Sequence, residues 1–89
     1  MIEEKVSLGF KLYRTWFEVN WLGIDEVVDF DETDIFTFEE DGWNRIEKEI
    51  KRKYDSIFDM NIDIKQRKVW VSYIHGGGYI EYYIKEITR

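Results

Sequence analysis

From Lys5 onward the chain alternates, with Val6, Leu8, Phe10 and Leu12 on one side and Lys5, Ser7, Gly9 and Lys11 on the other. A period of two marks a strand with one face buried. The stretch "TWFEVNWL" repeats the pattern, setting Phe17, Val19 and Trp21 against Glu18 and Asn20. Between the two runs, the polar Tyr13, Arg14 and Thr15 predict the turn of an antiparallel hairpin. Beyond Gly23, "DEVVDFD" reads as a third short strand with Val28 and Phe30 inward and Asp29 and Asp31 outward. A single helical turn is the competing reading of residues 24–31.

The period then lengthens. Trp43, Ile46, Ile50, Tyr54 and Ile57 recur at intervals of three and four, the apolar stripe of an amphipathic helix. Thr37 and Glu40 have the spacing of a capping box, in which each side chain satisfies the other residue's free backbone N–H. Glu39, Glu40 and Asp41 open the segment and Lys51, Arg52 and Lys53 close it, both suited to the helix dipole. Gly42 costs about 1 kcal/mol inside a helix, which favours a start at Asp41. After Asp59 the alternation returns: Met60, Ile62 and Ile64, a "KQRK" turn, "VWVSYI", an "HGGG" turn and "YIEYYIKEI" predict three antiparallel strands in a meander. The expected fold is α+β, one domain over residues 1–89. An antiparallel sheet, an N-terminal hairpin plus a C-terminal three-stranded meander, packs against one principal α-helix.

Composition changes this picture in two ways. The chain has 89 residues and no Cys, so disulfides, Cys-based zinc sites and thiol nucleophiles are excluded. Packing must hold it together, and six Phe, six Tyr and four Trp are more bulk than so small a core can enclose. Some aromatics are therefore expected at the surface. No basic region followed by an apolar run opens the sequence, and no apolar run approaches the ~20 residues of a membrane span. A cytoplasmic protein without membrane contact is expected.

Charge is the most distinctive property. Residues 1–42 carry twelve acids and three bases, whereas residues 43–89 carry seven acids and ten bases, for an overall charge of -6. The acids from Asp25 to Asp41 (Asp25, Glu26, Asp29, Asp31, Glu32, Asp34, Glu39, Glu40 and Asp41) occur without a single intervening Lys or Arg. One reading is solubility, with the carboxylates on solvated strand faces and at a helix start. The other is a recognition surface. Carboxylates on alternate strand positions repeat every 6–7 Å or so, near the spacing of phosphates along one nucleic-acid strand. Such a face attracts a basic groove and repels nucleic acid itself.

Other chemistries fit less well. Asp29, Asp31, Thr33 and Glu40 match four positions of a calcium loop, but Asp34 stands where the sharp turn needs Gly, so neither metal nor cofactor is expected. Arg45, Lys48, Lys51, Arg52, Lys53, Lys65, Arg67 and Lys68 form the basic counterpart. They read as a solvated helix face and turn, supported by the pairs Glu47–Lys51 and Glu49–Lys53. Direct nucleic-acid binding through them conflicts with a pI near 4.8. The "HGGGYIEYY" segment lacks the Lys-Ser/Thr pair of a phosphate loop and enters a strand, so it reads as a hairpin tip. Tyr79 and Tyr83 beside it are candidate partner contacts. Carboxylate pairs alone, in a domain with little room for a deep cleft, do not make a convincing enzyme.

In size, acidity, aromatic content and lack of Cys, the whole chain resembles the small inhibitors that phages encode against host defence nucleases, anti-CRISPR proteins among them. No motif carries that resemblance, and it transfers no site residues. It implies a non-enzymatic inhibitor docking on a basic, nucleic-acid-handling protein such as a nuclease, by nucleic-acid mimicry, in the host cytoplasm if phage-encoded. The alternatives are an assembly module that forms homo-oligomers through exposed aromatics or an open strand edge, and an immunity-type protein neutralising a basic toxin. The expected partner-binding residues are the nine acids named above together with Tyr79 and Tyr83.

Overall fold

The computed structural model describes residues 6–73 and 78–89, and five strands and one helix account for most of them. In chain order these are β1 (Ser7–Val19), β2 (Asp25–Glu32), α1 (Glu39–Arg52), β3 (Ile57–Asp63), β4 (Lys68–Tyr73) and β5 (Gly78–Thr88). The strands make one antiparallel sheet in the order β2-β1-β5-β4-β3. Its two units are the β1–β2 hairpin and the β3–β4–β5 meander, joined where β1 pairs with β5. This is the expected α+β architecture. The "HGGG" turn lies largely outside the described residues.

The hairpin differs from expectation inside that frame. Tyr13, Arg14 and Thr15 do not turn: β1 runs straight through them for 13 residues. The turn falls at Asn20–Ile24, where the Asn20 side-chain oxygen accepts from the amides of Leu22 (2.9 Å) and Ile24 (3.0 Å). Gly23 closes it at φ 78°, a left-handed conformation that suits glycine. Trp21 is therefore a turn residue and not a strand residue. Residues 25–32 are a strand and not a helical turn, yet Phe30 is not inward. It pairs with Thr15 on the face away from the helix and is exposed, while Asp31 pairs with Arg14 on the helix side.

One sheet face is covered by α1, and the core lies between them. Leu12 of β1, Ile80, Tyr82 and Ile84 of β5, and Val69 and Val71 of β4 meet Ile46 and Ile50 of the helix. Trp43 packs against this cluster half-buried, so the predicted stripe holds over the helix itself. The stripe stops there: Tyr54 falls in a 3₁₀ turn (Tyr54–Ser56) and Ile57 opens β3. The capping box does not form, because Phe38 occupies the N-cap position with no side-chain cap. Gly42 is inside the helix, where its missing Cβ lets the backbone settle on Ile84. That contact explains a residue of poor helix propensity in this position. A second close approach holds the connection after β2, where Phe10 and Phe36 exchange backbone hydrogen bonds of 2.8 and 2.7 Å.

Candidate protein-docking site

The β2 strand is an edge of the sheet and every residue of it is exposed. Its side chains divide between the two faces by register. Glu26, Asp29 and Asp31 share the helix side with Glu18, Trp16 and Arg14, while Asp25, Val27, Phe30 and Glu32 share the open side with Val19, Phe17, Thr15 and Tyr13. The bulge between Trp16 and Phe17 leaves Val28 as the extra residue. The predicted acidic row is thus a two-faced edge and not a single flat face.

Some of these acids are already neutralised. Arg14 bonds Asp31 at 2.6 Å and also Glu49, which Arg45 approaches at 3.6 Å. Burial alone would lower the Arg14 pKa, but the two carboxylates outweigh it and the guanidinium is held charged. Lys11 reaches Glu32 at 3.4 Å. Glu39 accepts from Arg67 at 2.5 Å and from the Trp43 indole at 3.1 Å, which ties the helix start to the β3–β4 turn. The predicted Glu47–Lys51 pair forms at 2.8 Å, whereas Glu49 takes Arg14 and Arg45 in place of Lys53.

Several acids without an ion pair among the described residues lie in the turn half of the β1–β2 hairpin, while others, Asp34, Glu40, Asp41, Asp59 and Asp63 among them, lie elsewhere. Among the described residues no Lys or Arg comes within ion-pair distance of Glu18, Asp25, Glu26, Asp29 or Asp34. Glu26 is held by the Asn20 amide at 2.9 Å, and Asp25 accepts from the Tyr79 hydroxyl at 2.8 Å. Glu18 and Glu26 stand directly opposite each other in the ladder, an arrangement of like charges that destabilises a strand pair. The apolar side chains at this end face water. Trp21 is 92% exposed, and Leu22, Ile24, Val27 and Val28 are each more than half exposed.

The eleven predicted residues therefore split. Asp25, Glu26 and Asp29 lie in the turn half of β2, Glu26 and Asp29 on the helix side and Asp25 on the open side, where it accepts from Tyr79, itself stacked on Phe17 at 4.8 Å between ring centroids. Burial and then the Asp25 carboxylate push the Tyr79 hydroxyl up to about 12. Asp31 and Glu32 sit further along β2 in ion pairs, and Asp34 lies past its end. Glu39, Glu40 and Asp41 begin α1 near Phe10, eight residues and roughly 26 Å along β1 from Glu18. Tyr83 belongs to a different aromatic group, against Tyr13 and under the Lys68 ammonium. The sequence reading missed Glu18, Trp21, Leu22 and Ile24. Their signal was "NWLG", a turn-forming Asn and Gly bracketing two large apolar residues.

The cavities elsewhere are small and open. One, of about 400 Å³, lies along the polar helix face lined by Asn44, Glu47, Lys48, Lys51 and Arg52. Another, of about 200 Å³, sits at the helix C-terminus among Trp16, Arg52, Lys53 and Tyr73. Among the described residues no trio of His, Cys, Asp or Glu is close enough to hold a metal, and no helix is long and apolar enough to cross a membrane. No family model, curated protein or solved structure matches the chain.

Proposed function

We propose that the chain is a non-enzymatic binding protein that docks the turn end of its β1–β2 hairpin on a basic protein surface. The observation that carries this reading is the combination of Glu18, Asp25, Glu26 and Asp29, all without cationic partners among the described residues, with Trp21 at 92% exposure. Trp is enriched among the residues that anchor interfaces, and here one stands exposed at the turn of an acid-rich hairpin. Opposed Glu18 and Glu26 repel each other in the free protein, so a Lys or Arg placed between them gains from both at once. The β2 edge adds unpaired backbone groups, to which an extended strand of the partner can bond. A groove that normally takes nucleic acid has the required charge. Occupied by this hairpin, it is closed to its own ligand, which makes the chain an inhibitor of a nucleic-acid-handling protein.

The test begins with capture of the partner from the native host. Binding should weaken steeply as salt rises, because the Debye length is only about 8 Å at physiological ionic strength. Glu18→Gln, Asp25→Asn, Glu26→Gln and Asp29→Asn together should weaken it at least tenfold and leave the circular-dichroism spectrum unchanged. An oligonucleotide should compete with the wild-type chain for the partner. Binding indifferent both to salt and to the four substitutions would overturn the proposal.

A further inference from the structure

The opposite edge of the sheet has a different chemistry. Strand β3 is the last strand on that side, and its apolar side chains are open to water: Phe58 is 78% exposed, Ile62 57%, and Ile64 just beyond it 74%. The helix lies over β1 and β5, so β3 is left without a roof. Between them runs an apolar groove of about 350 Å³, lined by Trp43, Ile46, Ile50, Met60 and Ile62. An open edge beside an apolar groove invites another strand, and natural proteins usually guard such an edge with charge.

Self-pairing separates the two edges. If β2 paired with β2 of a second copy, antiparallel and in full overlap, Asp25 would face Glu32 and Glu26 would face Asp31. Carboxylates would oppose carboxylates on both faces, so this edge rejects its own kind. The same operation on β3, with its bulge at Phe58, sets Met60 opposite Met60, Asp59 opposite Asn61, and Ile57 with the bulged Phe58 opposite Ile62. No acid stands directly opposite another acid. Phe58, the bulged residue of β3, then stands beside the Ile62 that lines the groove. The groove's rim carries one charge of each sign, Glu47 and Lys51, and so offers a second copy no net repulsion.

The overall charge of -6 does not forbid this contact. Edges β2 and β3 are four strand spacings apart, roughly 19 Å, or more than two Debye lengths at physiological salt. The repulsive hairpin therefore contributes little at the β3 edge.

We propose that the β3 edge is a self-association surface, on which two copies pair β3 to β3 across a two-fold axis into a continuous ten-stranded sheet. Each copy's Phe58 closes over the other's groove beside Ile62. The two acidic hairpins then lie at the outer edges, roughly 43 Å apart, free to act on a partner.

Sedimentation equilibrium of the full chain tests this. The wild type should show a reversible species of twice 10.9 kDa. Ile62→Lys and, separately, Phe58→Lys should reduce it to the monomer, with the circular-dichroism spectrum retained. The Glu18, Asp25, Glu26 and Asp29 substitutions should leave the dimer in place, so loss of partner binding and loss of dimer are separate readouts. Amide hydrogen exchange of the wild type needs no variant. The β3 amides should slow as concentration rises, and the β2 amides should not. A monomer at all concentrations overturns the proposal. So does a dimer that survives both β3 substitutions, or one whose concentration-dependent protection falls on β2 or on the open aromatic face.

Discussion

Gly42→Ala puts a methyl group where α1 comes closest to the sheet. A Cβ at this position would lie 3.1 Å from Cδ1, 3.2 Å from Cγ1 and 3.4 Å from Cγ2 of Ile84. Two effects of opposite sign compete. Alanine improves on glycine inside a helix by about 1 kcal/mol. Overpacking a filled core costs about 1–3 kcal/mol, and Ile84 is fully buried. Packing wins, and the variant should lose about 1 kcal/mol, roughly 4–8 °C in melting temperature for a domain of this size. Thermal and urea unfolding followed by far-ultraviolet circular dichroism measure it. Ile84→Val removes Cδ1, the nearest of the three atoms, and alone costs about 1 kcal/mol as a lost methylene. Combined with Gly42→Ala it should cost less than the sum of the two singles, by at least 0.5 kcal/mol or so. A Gly42→Ala protein that melts higher than the wild type would refute the tight helix–sheet contact, and with it the reason offered for a glycine there.

Two further outcomes follow from the same geometry. Trp21→Ala should leave the melting temperature unchanged, since the ring touches water on nearly all sides, yet weaken partner capture by tenfold or more. Stability should also fall under alkaline conditions. The Tyr79 hydroxyl, with an ordinary value of 10.0, is raised to about 12 in the folded chain, and burial raises Tyr82 as well. The folded state therefore holds protons that the unfolded state releases. This stabilisation is complete below pH 10.0 and is lost as pH rises towards 12. Tyr79→Phe keeps the stacking on Phe17 and should make the decline between those two pH values shallower in urea titrations. An equally steep decline would assign the alkaline loss to Tyr82 and other groups.

The helix was legible because a period of 3.6 over one apolar stripe admits little else, and Ile46 and Ile50 sit where it put them. The hairpin was not, for a reason visible in β1. Its even positions, Phe10, Leu12 and Trp16, pack against the core on the helix side, while its odd positions Tyr13 and Phe17 stack with Phe30, Tyr83 and Tyr79 on the open side. With apolar residues on both faces the alternation shifts phase midway, and the shift imitates a turn. Arg14 deepens the illusion, because a charged residue on the helix side makes sense only once Asp31 and Glu49 are beside it, 17 and 35 residues away. The acidic segment was legible as composition, but which acids stay uncompensated depended on tertiary pairing. Lys11 and Arg14 select Glu32 and Asp31 across the ladder, and nothing local in the sequence announces that choice.

Because β1 is one unbroken strand, its two ends are mechanically a single beam in a molecule 51 Å long. Leu12 anchors that beam at zero exposure beneath the helix, and Glu18 rides on its far end. Under the proposed function, the hairpin would thus reach its partner already stiff, with little conformational freedom left to surrender on contact. A load applied at the turn would pass along β1 toward the hydrophobic interior at Leu12.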